Sequence, residues 1–237
     1  MEQAPNDLMG YDRAITLFSP DGRLLQVEYA RKTVSQGSAA LALVGKESVV
    51  FVADKKMPEA GLGLIVADSI EKIFKVEDNV AAAISGMIAD GRMLVEKAQV
   101  EAQQHRMTYS EQVDMLLMIK KVSADMQAFT QYGGARPYGV SLLFGGMRNG
   151  APTLFMLEPS GIFFQFKAVA IGANSSEINK ALEEGYKDAM DTDTLIKLAI
   201  KSLKTGGVKL HPDRFEIAVV NTSGFKKLSK DEIAGYL

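Results

Sequence analysis

The stretch that decides the fold covers residues 11–34 and reads YDRAITLFSPDGRLLQVEYARKTV. Its first part, residues 11–18, has the character of an extended arm. A turn follows at residues 19–22, because Pro20 fixes its own φ at about −65° and Gly22 tolerates a positive φ. The pattern therefore predicts an arm that ends in a tight turn.

A short amphipathic helix is predicted to follow over residues 22–34. Its polar and apolar side chains recur at helical spacing, at Leu24, Leu25, Glu28 and Tyr29. Interpreted separately, the arm, the turn and the helix would form a surface arm that docks a helix onto its own domain. As one string, residues 11–34 resemble, without a gap, the N-terminal signature of proteasome α subunits, in which arm, turn and helix head every chain of a ring.

The composition excludes several classes of protein. A net charge of −2 gives no electrostatic reason to expect nucleic acid or an anionic membrane as a partner. No apolar run approaches the roughly 18–20 residues that a membrane span needs, and residues 1–5 lack the basic start and apolar core of a signal peptide. The absence of cysteine excludes disulfides and thiolate chemistry and suits a reducing cytoplasm.

Residues 38–237 alternate between groups of short apolar strands and pairs of helices. The predicted strands are 38–44, 48–53, 71–76, 80–84, 140–144, 153–157, 162–166, 168–171 and 215–220. The predicted helices are 90–107, 111–132, 175–190, 192–203 and 229–235. Glycine-rich connections indicate antiparallel meanders, and segregated helices favour an α+β fold. We expect one domain over 1–237, with residues 1–20 as arm and turn and 38–237 as a four-layer α/β/β/α sandwich.

The second long helix, residues 111–132, has an unusually wide apolar stripe. Its main row is Met115, Met118, Ile119, Val122, Met126 and Phe129, and Val113, Leu116, Leu117 and Ala124 widen it. Such width indicates burial on two sides, against its own sheet and against a neighbouring helix or subunit, although a well-buried core helix gives the same pattern. Ser110 is predicted to cap this helix, and Asp191 to cap the helix at 192–203.

Familiar catalytic and metal motifs are missing. Gly61-Leu62-Gly63 lacks the further residues of a phosphate cradle, and the three aspartates at 188, 191 and 193 lack those of a calcium loop. His105 and His211 stand far apart, which favours surface or capping roles over metal binding. We therefore expect no cofactor and no metal.

The resemblance implies the N-terminal nucleophile hydrolase fold, whose catalytic β subunits expose a threonine by self-cleavage after a glycine. Gly37-Ser38 stands near the corresponding strand start, and Lys72 resembles the strand lysine of the family. While residues 1–37 remain attached, Ser38 has no free amine to act as its base. We expect a catalytically silent chain. The alternative is an active hydrolase with Ser38 exposed by cleavage after Gly37.

For Lys72 the resemblance implies another role. In α rings the equivalent lysine lines a pocket between subunits that receives the C-terminal tail of an activator ATPase, where an ammonium suits a chain-end carboxylate. By motif, the neighbouring pocket positions are Gly37, Gly86 and Met87, and Glu28 is the acidic group that helps to position the arm. Without the resemblance, the position of Lys72 in the sequence alone would favour a solvated lysine at the edge of a strand.

Tyr11, Asp12 and Arg13, together with the turn at Pro20, carry the gating hypothesis. In related rings the N-terminal tails meet over an axial pore, and these residues govern its closed and open arrangements. The resemblance thus implies a non-catalytic α subunit of an archaeal-type 20S core particle, in the cytoplasm. Its partners would be six other α chains, the β subunits whose ring it templates, activator tails, and unfolded polypeptide passing through the gate.

Overall fold

The computed structural model describes residues 16–56, 66, 69–208 and 210–237. They form ten strands and six α-helices. The strands are β1 (Ala40–Val44), β2 (Ser48–Asp54), β3 (Ile73–Glu77), β4 (Val80–Gly86), β5 (Val140–Arg148), β6 (Ala151–Leu157), β7 (Phe163–Phe166), β8 (Ala168–Ile171), β9 (Phe215–Asn221) and β10 (Gly224–Lys227). The helices are α1 (Leu25–Gln36), α2 (Ile88–Tyr109), α3 (Met115–Ala128), α4 (Ser175–Gly185), α5 (Thr192–Thr205) and α6 (Lys230–Ala234).

Two antiparallel sheets of five strands each lie face to face. The first has the order β10-β9-β2-β1-β8 and the second the order β3-β4-β5-β6-β7. Helices α4 and α5 cover the outer face of the first sheet, and α2 and α3 cover the outer face of the second. The predicted four-layer α/β/β/α sandwich is thereby confirmed.

Small side chains let the two sheets approach closely. The layer between them is rich in alanine: Ala40, Ala42, Ala53, Ala81 and Ala83. At Gly145 on β5, a Cβ atom would lie 2.8 Å from the ring of Phe51 on β2, so only glycine fits there. Strand β2 is buried on both faces, because Phe51 faces the second sheet while Val50 and Val52 face the helices. Burial on both faces explains why β2 reads as a continuous apolar run.

Helix α1 lies outside the four layers and packs against β4 and β5. Its buried side chains are Leu25, Val27, Ala30 and Val34. The helix ends at Gly37, directly before the first strand. Within the described ranges, none of the helices is both long and apolar enough to cross a membrane.

Some boundaries differ from the sequence prediction. Ser110 does not cap the third helix. It has a left-handed φ of 60° and ends α2, whereas Asp114 caps α3 by accepting a hydrogen bond of 2.8 Å from the Leu116 amide. The helix predicted for 175–190 ends at Gly185, and Ala189 in the following turn has a φ of 61°. The edge strand β10 was not predicted.

One part of the wide apolar stripe of α3 is buried in the core, and another part is exposed. Its main row, from Met115 to Met126, packs against the second sheet and is fully buried. Leu117 and Ala124, on its side, are exposed in the single chain. The core therefore accounts for only part of the stripe.

Candidate functional site

A glycine-rich junction joins the end of α1 to the two sheets. Gly37 lies against Gly86 at the end of β4, so closely that a Cβ atom on Gly37 would stand 2.3 Å from the Gly86 amide nitrogen. The carbonyl of Gly37 accepts a hydrogen bond of 2.7 Å from the Ala173 amide. The structure thus brings together two of the predicted pocket residues, and side chains are sterically excluded from both.

Lys72 lies directly beneath this junction. Its Nζ atom donates to the Ser38 carbonyl at 2.6 Å and to the Ser38 hydroxyl at 2.8 Å. The carbonyls of Asp54 and Ala39 lie at 3.2 and 3.4 Å from the same nitrogen. Only 2% of Lys72 is exposed. Lys72 is therefore not the solvated lysine that spacing alone favoured; its ammonium is surrounded by four oxygens.

Burial lowers the pKa of Lys72 from 10.5 to about 8, although the charges of Asp54 and Glu216 act in the opposite direction. Burial of a lysine opposes its charged form, so the site holds its ammonium at a cost in free energy of folding. Buried groups with shifted pKa values concentrate at functional sites.

Two carboxylates hold the surroundings of Lys72 in place. The Glu216 side chain accepts hydrogen bonds from the backbone amides of Lys72 and Ile73, at 2.8 and 3.1 Å. Asp54 forms a bidentate ion pair with Arg214, at 2.6 and 2.8 Å. Glu216 lies 144 positions from Lys72 in sequence, so no local pattern pointed to it.

The arrangement suits a structural hydrogen bond better than nucleophilic catalysis. In the intact chain the nitrogen of Ser38 belongs to its peptide bond with Gly37, so no α-amine is available as a base. The Lys72 ammonium donates toward the serine hydroxyl and carbonyl oxygens. A protonated donor of this kind does not remove a proton from the hydroxyl.

Met87, the third predicted pocket residue, follows Gly86 and is 39% exposed. Its amide donates to the Gly139 carbonyl at 2.9 Å, and the Met87 side chain packs against Gly139. Asp90 holds this segment, since it binds Arg136 at 2.6 and 2.8 Å and the Gly139 amide at 2.9 Å. Burial raises the pKa of Asp90, but Arg136 and the amide outweigh it and the net pKa is lowered. The sequence analysis did not single out Asp90.

Glu28 lies apart from Lys72, in the first turn of α1. Its carboxylate binds the guanidinium of Arg23, which lowers the pKa of Glu28. Arg23 closes the turn at Pro20, because its amide donates to the Ser19 hydroxyl at 3.2 Å and its carbonyl accepts from the Ser19 amide at 2.9 Å. Glu28 is thus linked to the turn through Arg23, and Pro20 itself is exposed.

Three of the predicted gate residues, Tyr11, Asp12 and Arg13, lie outside the described residues.

The two histidines contact other side chains and backbone groups: His211 accepts a hydrogen bond from the Asp213 amide, and His105 stacks on Tyr109. In the part of the chain that the structure describes, no group of three or more His, Asp or Glu side chains is arranged to hold a metal ion.

Comparison with known proteins bears directly on this site. The family described as "Proteasome subunit" matches residues 34–220, and the family described as the N-terminal signature of A-type proteasome subunits matches residues 11–32. The chain belongs to the proteasome α-subunit family.

Similar proteins, named as proteasome alpha subunits, come from several archaea. The Methanosarcina mazei protein is 42% identical over 240 residues, which cover 100% of this chain and 94% of the relative. The Thermococcus onnurineus protein is 44% identical over 230 residues, covering 96% and 87%. The Pyrococcus horikoshii protein is 45% identical with the same coverage. Membership of the proteasome α-subunit family implies assembly with other subunits.

Proposed function

We propose that this chain is a non-catalytic α subunit of a 20S proteasome core, located in the cytoplasm, where seven copies form the outer ring. The observation that carries the proposal is the N-terminal segment itself. Residues 25–36 form a helix with four buried side chains, which continues into the glycine junction above Lys72. Removing this segment to free Ser38 would uncover that apolar face, at an energetic cost.

Assembly with β subunits is the second part of the proposal. Helix α2 exposes a row of apolar residues at seven-residue spacing: Met93, Val100 and Met107, which are 43%, 45% and 86% exposed. Leu117 and Ala124 on α3, which packs against α2, are also exposed. Exposed apolar rows on paired helices are typical of protein interfaces. We assign this face to the β ring.

Docking of an activator tail is assigned to the surface above Lys72. The two glycines, Gly37 and Gly86, contribute backbone to this surface, and Met87 contributes an exposed side chain. The Lys72 ammonium lies below them. A chain-end carboxylate bound at this surface is stabilised by the positive charge beneath it. In assembled particles, we expect Lys72→Ala to abolish stimulation by an activator-tail peptide, whereas Lys46→Ala, in the exposed turn after β1, leaves it intact.

Gating is assigned to Tyr11, Asp12, Arg13 and the turn at Pro20. Arg23 and Glu28 tie that turn to α1, so a small movement of the helix start is transmitted to the arm. N-terminal tails that are held by only a few contacts can populate both a closed and an open arrangement, because ordering each residue costs roughly 1–2 kcal/mol. Removal of residues 1–16 should raise the entry of unfolded protein in the absence of an activator.

Reconstitution tests the whole proposal. The chain is purified alone, and then together with a proteasome β subunit from an archaeal relative, and hydrolysis of an unfolded protein is measured. We expect hydrolysis only in the presence of the β subunit, with the α chain at its full mass. Hydrolysis by the α chain alone, abolished by Ser38→Ala, would contradict the proposal and support the hydrolase.

A further inference from the structure

Glu216 is a buried carboxylate that belongs to one sheet and binds the other. It lies on β9 of the first sheet and is only 6% exposed. One of its oxygens accepts hydrogen bonds from the amides of Lys72 and Ile73, at 2.8 and 3.1 Å, where β3 of the second sheet begins. Glu216 therefore fixes the backbone at the point from which the Lys72 side chain extends.

The second oxygen of Glu216 is held by Lys227, on the edge strand β10. The Lys227 ammonium also binds Glu71, the residue before Lys72, at 2.8 Å. Burial lowers the pKa of Lys227, but its hydrogen bonds to Glu216 and Glu71 outweigh burial, and the net pKa is raised. Lys227 thus keeps its charge and fixes the orientation of the Glu216 carboxylate.

Two carboxylates of the first sheet act on the buried ammonium of Lys72. Asp54, at the end of β2, is paired with Arg214, and Glu216 is paired with Lys227. The charges of both carboxylates oppose the burial that lowers the pKa of Lys72 to about 8. The oxygens that the ammonium contacts belong to backbone carbonyls and a hydroxyl, which carry no net charge. With a pKa so close to neutrality, loss of one carboxylate charge would leave much of Lys72 without its proton.

We propose that Glu216 is a positioning residue of the activator-tail site: it fixes the backbone of Lys72 from the opposite sheet, and its charge balances that of the ammonium beneath the tail carboxylate. Lys227 holds Glu216, so the edge strand β10 supports the site. Because Glu216 is buried, it acts through Lys72 and not by contact with the tail. The inference rests on the proposed docking of a tail above Lys72.

The pH dependence of tail binding tests this role in particles assembled with β subunits. The probes are an N-acetylated peptide with the C-terminal sequence of an archaeal activator ATPase and the same peptide with an amidated C-terminus. The ratio of their two affinities isolates the part of binding that depends on the terminal carboxylate. In the unsubstituted particle we expect this ratio to fall as the pH rises above about 8, because Lys72 then loses its proton.

Glu216→Gln removes the charge and keeps a similar shape. We expect the fall in the affinity ratio to move to lower pH by about 0.5–1 unit, because one of the charges that favours the ammonium is lost. The matched control is Glu232→Gln, which should leave the ratio unchanged. Glu232 pairs with Lys226, the neighbour of Lys227 on β10, but it lies on the exposed helix α6.

Glu216→Asp is the second test variant. It keeps the charge and the means to pair with Lys227, but its side chain is one methylene shorter and reaches less far toward Lys72. We expect a smaller shift of the affinity ratio, in the same direction as for Glu216→Gln. If Glu216→Gln does not assemble, the aspartate variant decides the test.

The possible outcomes separate this inference from the docking proposal. If the ratio falls at the same pH in the Glu216 variants as in the unsubstituted particle, the role of Glu216 is overturned and tail docking stands. Equal weakening of both peptides at every pH would also overturn it, since a merely structural role has that effect. If the unsubstituted particle binds the two peptides equally, or Lys72→Ala binds them as the unsubstituted particle does, the proposed docking fails, and this inference with it.

Discussion

The Nζ atom of Lys72 lies 2.8 Å from the Oγ atom of Ser38. The same nitrogen donates to the Ser38 carbonyl, which also accepts from the Ser85 hydroxyl at 2.8 Å. A serine and a lysine at this distance resemble a catalytic pair, but here both oxygens of Ser38 take part in bonds that hold the chain in place. The pair therefore connects the strand start to the glycine junction above it.

The stability of the chain should rise with pH between about 8 and 10.5 through Lys72. In this range the unfolded lysine keeps its proton while the folded one, with a pKa of about 8, loses it. Folding then releases a proton, so higher pH favours the folded state, by on the order of 3 kcal/mol across the range. Denaturant unfolding of the chain and of Lys72→Met at several pH values measures the difference. If the free energy of unfolding depends on pH equally in the two proteins, the lowered pKa of Lys72 is contradicted.

Gly86→Ala should be far more destabilising than Gly134→Ala. Both glycines have a positive φ, of 114° and 85°, so strain of about 1–2 kcal/mol is expected at each. At Gly86 the added Cβ would also lie 2.3 Å from the Gly139 carbonyl oxygen, whereas at Gly134 nothing lies within 4 Å. Thermal unfolding measures the stability of both variants. Similar losses would contradict the steric cost that we assign to a Cβ atom at Gly86.

Asp90→Asn should cost about 2–3 kcal/mol, since it weakens the hydrogen bond to Gly139 and an ion pair whose carboxylate is buried, although Arg136 is 55% exposed. The control is Asp188→Asn. Asp188 pairs with Lys167 in the same bidentate way, but both side chains are about 70% exposed, so the expected cost is below about 1 kcal/mol. Because the pKa of Asp90 is lowered, its contribution is present above the unfolded pKa and is lost as the pH falls through the folded pKa. A cost for Asp90→Asn no greater than that of the control would contradict this account.

Val100→Glu should leave the α ring intact and weaken its association with β subunits by at least about tenfold, or about 1.4 kcal/mol, because it places a charge in the centre of the exposed α2 row. Thr222→Glu adds the same charge in the exposed turn between β9 and β10 and should have no effect. Native mass spectrometry of mixtures with the β subunit measures both. If Val100→Glu assembles normally, the face does not bind the β ring.

Local sequence patterns predicted much of the fold because local physics produced it. Strand β2 is apolar throughout since both of its faces are buried, and Asp191 caps α5 as predicted by accepting from the Thr194 amide at 2.8 Å. Strand β10 was missed because it is a short edge strand whose residues are half-buried or exposed. Ser110 and Asp114 are both good capping residues in sequence. Only the fold showed that the first ends one helix and the second starts the next.

The site was less predictable because its contacts are distant in sequence. The resemblance pointed to Gly37, Lys72 and Gly86, and the structure brings these three together. It could not reveal that Glu216 holds the backbone of Lys72, nor that Asp90 holds the segment beside Met87. Such partners depend on which strands lie side by side. Glu28 is different, because it contacts the turn at Arg23 rather than Lys72.

Native mass spectrometry of the purified chain expressed alone tests the central claim most directly. We predict a closed ring of seven chains, each at its full mass, because residues 25–36 are a folded part of the chain. Chains shortened by cleavage after Gly37 would contradict this account, since they would carry the free Ser38 amine of an active hydrolase.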